Sequence, residues 1–188
     1  MSEDQLLIQG LINQDQQALR KLMESYQHYV YTVLSSMLHP HEAAEASQDT
    51  FIKVYKNIKR FEQNSKLSTW IYKIAYRTGL DYIKKRRKYT SFDDVDYDSR
   101  FGADANVNDQ LDREDLNHSL DQLLQKLKGD EAAILRLFYF DEMNIHEVGK
   151  VTGLSVSNVK VKLYRARKKM KELMEKDKSY NFKEYIGQ

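Results

Sequence analysis

NIHEVGKVTGLSVSNVKVKLYRARKKMK, running from Asn144 to Lys171, joins a short apolar stripe to a long cationic one through a glycine. Val148 and Val151 lie three apart before Gly153, and Val159, Leu163, Ala166 and Met170 follow it at steps of three and four. Those steps line one face of a helix, and glycine takes the left-handed turn that other residues resist. Two apolar stripes joined so tightly must pack on each other, which predicts a helix-turn-helix. Gly149, one turn before Gly153, suits a close crossing of the two helices. The outward face carries Lys160, Lys162, Arg165, Arg167, Lys168, Lys169 and Lys171, with no acid between Ser155 and Lys171. Seven unbalanced cations favour DNA phosphate. A solvated basic helix in a protein-binding bundle accounts for the same composition.

The formal net charge of the 188-residue chain is only +2, which conceals segregation. Lys66 to Lys88 holds eight basic residues against Asp81, whereas Tyr89 to Asp112 holds seven aspartates against Arg100. Two basic blocks flanking an acidic spacer suggest two anion-binding modules. With no cysteine there are no disulfides, no thiolate metal sites and no Cys nucleophile. Met1 to Gly10 has no cationic leader, and no apolar run approaches the roughly 18 residues of a membrane span, so a cytoplasmic chain without membrane insertion is expected.

Helical period dominates outside the spacer. Leu19, Leu22, Tyr26, Val30, Val33 and Met37 form one stripe, which Pro40 is expected to end. A second helix, from about Glu42 to Lys59, has Ala44, Phe51, Val54, Tyr55 and Ile58 as its apolar set, with Lys53, Lys56, Lys59 and Arg60 toward its C-terminus, where they suit the helix dipole. After a polar loop from Phe61 to Leu67, Ser68 is a candidate cap for a third helix bearing Leu67, Trp70, Ile71, Ile74, Ala75 and Thr78. Tyr89 to Asn108 lacks periodicity and reads as a mobile linker. Beyond it, Leu116, Leu120, Leu123, Leu124 and Leu127, then Ile134, Leu137, Phe138 and Phe140, lead into the helix-turn-helix. Strand signals are nearly absent. The expected fold is all-α: an N-terminal helical bundle and a C-terminal helix-turn-helix domain, joined by a flexible acidic linker.

In the third helix Tyr72 and Tyr76 lie four apart, as do Lys73 and Arg77, so one flank is expected to offer rings beside cations. Single-stranded nucleic acid is held this way, each stacked base contributing roughly 1 to 3 kcal/mol. Tyrosines covering a core edge would show the same spacing. The run from Lys84 to Lys88 beside them suits phosphate clamping, with steep salt dependence, although a solvated helix end or a localisation signal gives the same run. His28, His39, His41, His118 and His146 lack metal-ligand spacing. Asp94, Asp96 and Asp98 start like a calcium loop, but Ser99 and Ala105 stand where glycine and a bidentate glutamate are required. No catalytic site, metal or cofactor is expected, so the chain does not read as an enzyme.

Three motifs then carry a resemblance: Gln48-Asp49-Thr50-Phe51 with Val54-Tyr55, Leu67-Ser68-Thr69-Trp70-Ile71-Tyr72-Lys73-Ile74-Ala75, and Val159-Lys160-Val161-Lys162-Leu163-Tyr164-Arg165-Ala166-Arg167. In order and spacing the chain resembles the two-domain extracytoplasmic function (ECF) sigma factors of bacterial RNA polymerase. The resemblance implies a sigma factor that directs promoter recognition, DNA melting and transcription initiation. It implies residues 1–88 as a region 2-like domain, 89–109 as the linker, 110–175 as a region 4-like domain and 176–188 as a tail. Its implied partners are the clamp helices of the largest catalytic subunit of core polymerase, promoter DNA and an anti-sigma factor. Glu45, Gln48, Asp49 and Phe51 would meet the polymerase. Asn64, Ser65, Lys66, Trp70, Tyr72, Lys73, Tyr76, Arg77 and Lys84 would recognise and melt the −10 element, with the loop from Glu62 to Lys66 holding an extruded base. Ser157, Asn158, Lys160, Val161, Lys162, Tyr164, Arg165 and Arg167 would read the −35 element, Val161 touching a thymine methyl.

The departures from the family pattern are local. Ala44 replaces an acid, and Ala46 and Ser47 replace larger apolar residues in the polymerase-binding helix. Ser155 stands for a proline, while Ser157, Asn158 and Val161 change the front of the recognition helix and thereby the upstream sequence it prefers. The alternative is a helix-turn-helix regulator that binds a palindromic duplex without polymerase.

Overall fold

The computed structural model describes residues 3–90, 124, 126, 127 and 130–176. Its order is α1 (Glu3–Ile12), α2 (Gln16–Ser35), α3 (Pro40–Asn57), a 3-10 turn (Ile58–Arg60), α4 (Leu67–Thr90), α5 (Asp130–Tyr139), α6 (Ile145–Thr152) and α7 (Val156–Lys176). The fold is all-helical and has two helical domains; among the described residues there is no strand. The expected linker and tail lie outside the described residues, apart from Tyr89 and Thr90, which continue α4, and Lys176, which ends α7. Leu116, Leu120, Leu123, His118 and the aspartates from Asp94 to Asp98 also fall outside them.

The first domain packs α2, α3 and α4 mutually, with α1 laid across α2 and the 3-10 turn. The sequence reading began at Leu19 and missed α1, which buries Leu7, Ile8 and Leu11. The α2 stripe holds as a core, with Leu22, Val30 and Val33 fully buried. Its end differs from expectation: α2 stops at Ser35, and Pro40 instead occupies the first turn of α3. A proline is suited there, because its missing N–H has no helical partner to lose. Glu42 closes that terminus by accepting from the backbone N–H of His39 at 3.3 Å. On α3 the buried alanines are Ala43 and Ala46, whereas Ala44 is exposed. Helix α4 begins at Leu67, so Ser68 lies inside its first turn rather than capping it. Lys53 on α3 donates to Thr78 on α4 at 3.0 Å and lies 3.8 Å from Asp81, so this cation ties two helices together beyond suiting a dipole.

In the second domain Asn144 caps α6, its side chain accepting from the N–H groups of His146 and Glu147 at 3.0 Å each, while Glu147 accepts from the N–H of Asn144. That reciprocal box satisfies donors which the first helical turn leaves unpaired. Gly153 ends α6 at φ +76°, the left-handed geometry expected of the turn. Gly149 also has a steric reason: a Cβ there would stand 3.0 Å from the carbonyl oxygen of Leu154. The close neighbour is therefore the turn backbone, not a side chain of α7. Val148, Val151, Val159, Leu163 and Ala166 are all buried, as the two stripes require.

The two domains share one hydrophobic core. Ile71, Tyr72, Ala75 and Tyr76 of α4 belong to the same buried cluster as Ala133, Ile134, Leu137, Met143, Val148 and Val151. A smaller cluster of Leu124, Leu127, Ala132, Leu135 and Ala166 lies within the second domain.

Candidate polymerase and nucleic-acid interfaces

On α3, Glu45 and Gln48 are exposed and Asp49 is half-buried. The Asp49 carboxylate accepts from the Tyr82 hydroxyl of α4 at 2.9 Å. Burial, and then this hydrogen bond, push the Tyr82 phenol up to about 12. Phe51 corrects the sequence assignment: it is 7% exposed and packed in the core, because it lies on the face of α3 that meets its neighbours. The apolar group available to a partner is Ile52, 50% exposed and in register with Glu45, Gln48 and Asp49 at helical steps of three and four. The sequence reading missed Ile52, although that spacing was visible.

The loop before α4 places Asn64 and Lys66 in solvent and Ser65 half-buried. Asn64 donates to Glu62 at 2.9 Å, and Gln63 adopts φ +56°. Trp70 is half-buried, its ring 5.1 Å from that of Phe61. Farther along α4 the expected flank divides. Tyr72 and Tyr76 are only 6% and 2% exposed, whereas Lys73 is half-buried and Arg77 and Lys84 are exposed. Neighbouring positions point about 100° apart on a helix, so rings and cations can take different environments. Here the rings face the second domain, while every residue from Lys84 to Lys88 remains exposed. Burial chiefly raises both phenol pKa values; the Asp141 charge adds to the effect at Tyr72, and the Asp130 charge and hydrogen bond add to it at Tyr76.

On α7, Ser157, Asn158, Lys160, Val161, Tyr164, Arg165 and Arg167 are exposed, with Tyr164 at 63%. Lys162 is half-buried and pairs with Asp130 at 2.8 Å. The guanidinium of Arg167 bends back, donating to the Leu163 carbonyl and the Tyr139 hydroxyl at 3.3 Å each. Lys160, Val161, Tyr164, Arg165 and Lys168 thus form an exposed apolar and cationic stripe that can meet a groove and its phosphates. Asp130, which holds both Tyr76 and Lys162, was absent from the sequence-derived site; the only local sign was an acid opening an apolar helix.

Among the described residues no cluster of ligating side chains is arranged for a metal, and no helix is long and apolar enough to cross a membrane.

Residues 22–89 match Sigma-70 region 2, and residues 117–170 match Sigma-70 region 4. The chain is 28% identical over 172 residues to the ECF RNA polymerase sigma factor SigW of Bacillus subtilis, covering 84% of this chain and 89% of SigW. It is 30% identical over 161 residues to the RNA polymerase sigma factor YlaC of the same organism, covering 81% of this chain and 91% of YlaC. In fold it resembles the sigma factor RpoE of Bartonella quintana, solved with the anti-sigma factor NepR, with a TM-score of 0.64, 20% identity, and 85% of this chain and 98% of that one covered. The two regions in their order, and relatives matched over nearly their full length, place the chain in the extracytoplasmic function group of the sigma-70 family: it is a sigma factor, a promoter-specificity subunit of RNA polymerase.

Proposed function

We propose that this sigma factor divides its work between residues 1–88, which dock on core polymerase and open the −10 element, and residues 110–175, which read the −35 element, with 89–109 as the connection and 176–188 as a tail. The observation that carries this reading is the two-sidedness of α7. Val159, Leu163 and Ala166 anchor one side, and Lys160, Val161, Tyr164 and Arg165 leave the other to DNA. Glu45, Gln48, Asp49 and Ile52 form the polymerase face, their acids receiving cations of the clamp helices while Ile52 packs against them. Lys73, Arg77 and Lys84 follow the separating strand, and Asn64, Ser65 and Lys66 hold an extruded base, whose unstacking costs a few kcal/mol that the loop must return. Trp70, Tyr72 and Tyr76 complete the melting surface once the second domain leaves it.

The protein works in the cytoplasm, as a polymerase subunit and not as an enzyme. An anti-sigma factor is the further partner proposed, because the structure it resembles was solved with one.

The test joins Lys73→Ala and Arg77→Ala. Core binding should persist in a polymerase pull-down, while permanganate reactivity of unpaired promoter thymines falls at least tenfold, corresponding to about 1.4 kcal/mol in the opening equilibrium. Unchanged reactivity would remove this face of α4 from melting.

A further inference from the structure

Thr78, Tyr82 and Arg86 recur every four residues along α4, and each meets a charged side chain of α3. Thr78 accepts from Lys53 at 3.0 Å, Tyr82 donates to Asp49 at 2.9 Å, and Arg86 lies 3.4 Å from Glu42. The two acids are held differently. Arg86 offsets the charge of Glu42, whose Oε2 also accepts from the His39 N–H at the start of α3. Tyr82 donates from a neutral hydroxyl, so the negative charge of Asp49 is left whole. That hydroxyl keeps its proton at neutral pH: burial first, then the Asp49 hydrogen bond and the charges of Asp49, Glu45 and Glu42, push it up to about 12. The bond engages Oδ2 of Asp49, and an ionised carboxylate still has acceptor sites on its other oxygen. Glu45, the other acid of this face, has only His41 beside it at 3.6 Å, with both side chains largely exposed. Asp49 is therefore the acid of the polymerase face that a second helix holds in place.

We propose that Tyr82 is a positioning residue for polymerase binding: its hydroxyl fixes the Asp49 carboxylate through Oδ2 and presents Oδ1 to a cation of the clamp helices. The proposal rests on the assignment of Asp49 to the polymerase face and adds the group that orients it. A carboxylate already held in one rotamer loses less freedom on docking, so part of the ordering cost is met before the partner arrives. A neutral donor also suits the task better than a cation would. An arginine or lysine in its place would form a charge-assisted pair and compete with the incoming cation, as Arg86 does at Glu42. Because Tyr82 adds no charge, its removal leaves the electrostatic attraction between the two proteins unaltered, and the loss falls on how long the complex lasts.

The test is a double-mutant cycle in the full chain, read as association and dissociation rates on immobilised core polymerase. Tyr82→Phe keeps the ring and removes the hydroxyl; Asp49→Ala removes the carboxylate. Tyr82→Phe alone should weaken core binding about fivefold, with faster dissociation, an unchanged association rate and unchanged helical circular dichroism. In the Asp49→Ala background, itself weakened about tenfold, the same change should have no further effect. A merely structural role would instead lower the fraction of competent chain, slowing apparent association in both backgrounds. Equal losses in the two backgrounds, or a loss confined to association, therefore overturn the positioning role. Tighter binding by Tyr82→Phe overturns it as well, because the hydroxyl would then compete with the partner. If Asp49→Ala weakens binding and Tyr82→Phe does not, the positioning role fails while Asp49 keeps its place on the polymerase face. If Asp49→Ala has no effect, the assignment of Asp49 fails and the proposal falls with it.

Discussion

Gly153 shows how one backbone angle governs a helix-turn-helix. At φ +76°, with nothing within 4 Å of the position a Cβ would take, its requirement is conformational and not steric. Gly153→Ala should destabilise the protein by about 1 to 2 kcal/mol, the cost of a left-handed alanine, lowering the thermal midpoint and loosening the angle between α6 and α7. A midpoint equal to wild type would show that the turn relaxes into an ordinary conformation. The need for glycine was readable because it separates two apolar stripes that must face each other. The crowding at Gly149 was only half readable: smallness followed from position, whereas the contact with the Leu154 carbonyl depends on the path of the turn.

A helix displays several faces, and α3 and α4 show why its pattern is easier to read than its partners. The buried stripe of α3, Phe51 included, was recognisable from spacing, yet Phe51 was also given to the polymerase because it adjoins Gln48 and Asp49 in the motif. Core packing takes Phe51 and leaves Ile52 beside the acids. Ile52→Ala should therefore weaken core polymerase binding by about 1 kcal/mol or more, several-fold in affinity, because truncating an apolar anchor costs more than deleting a rim charge. Titration of labelled core should show the loss with thermal stability retained; unaltered affinity would take Ile52 out of the interface. On α4, Tyr72 and Tyr76 have the spacing of a binding stripe and the burial of a core stripe. Spacing alone cannot separate these roles when the covering helix comes from another domain.

The meeting of the two domains also creates an electrostatic environment that neither has alone. Asp141 lies in the second domain, where burial raises its pKa above the usual 3.8, opposed by Arg136 of its own domain and by His28 of α2. Tyr72 of α4 senses its charge from the same seam. A carboxyl raised in the folded state binds protons there that the unfolded chain has released, so stability falls as pH rises from 3.8 through the raised value. The contribution is present below that window and lost above it. Asp141→Asn should flatten this fall in melting temperature as pH rises above 3.8, read from thermal unfolding across a pH series. An unchanged slope would show that Asp141 stays hydrated and outside the seam.

All-helical character, the helix-turn-helix, the basic exposed face of its second helix and the order of the region 2 and region 4 motifs were all legible in the chain. Helical period and charge are local properties, repeated every three or four residues and insensitive to distant neighbours. Asp130 and Tyr76, 54 positions apart, meet only when two apolar surfaces remove their shared area from water. That burial draws Tyr72 and Tyr76 inward, pairs Lys162 and leaves Ile52 outside, because the global arrangement of surfaces selects which polar groups find one another.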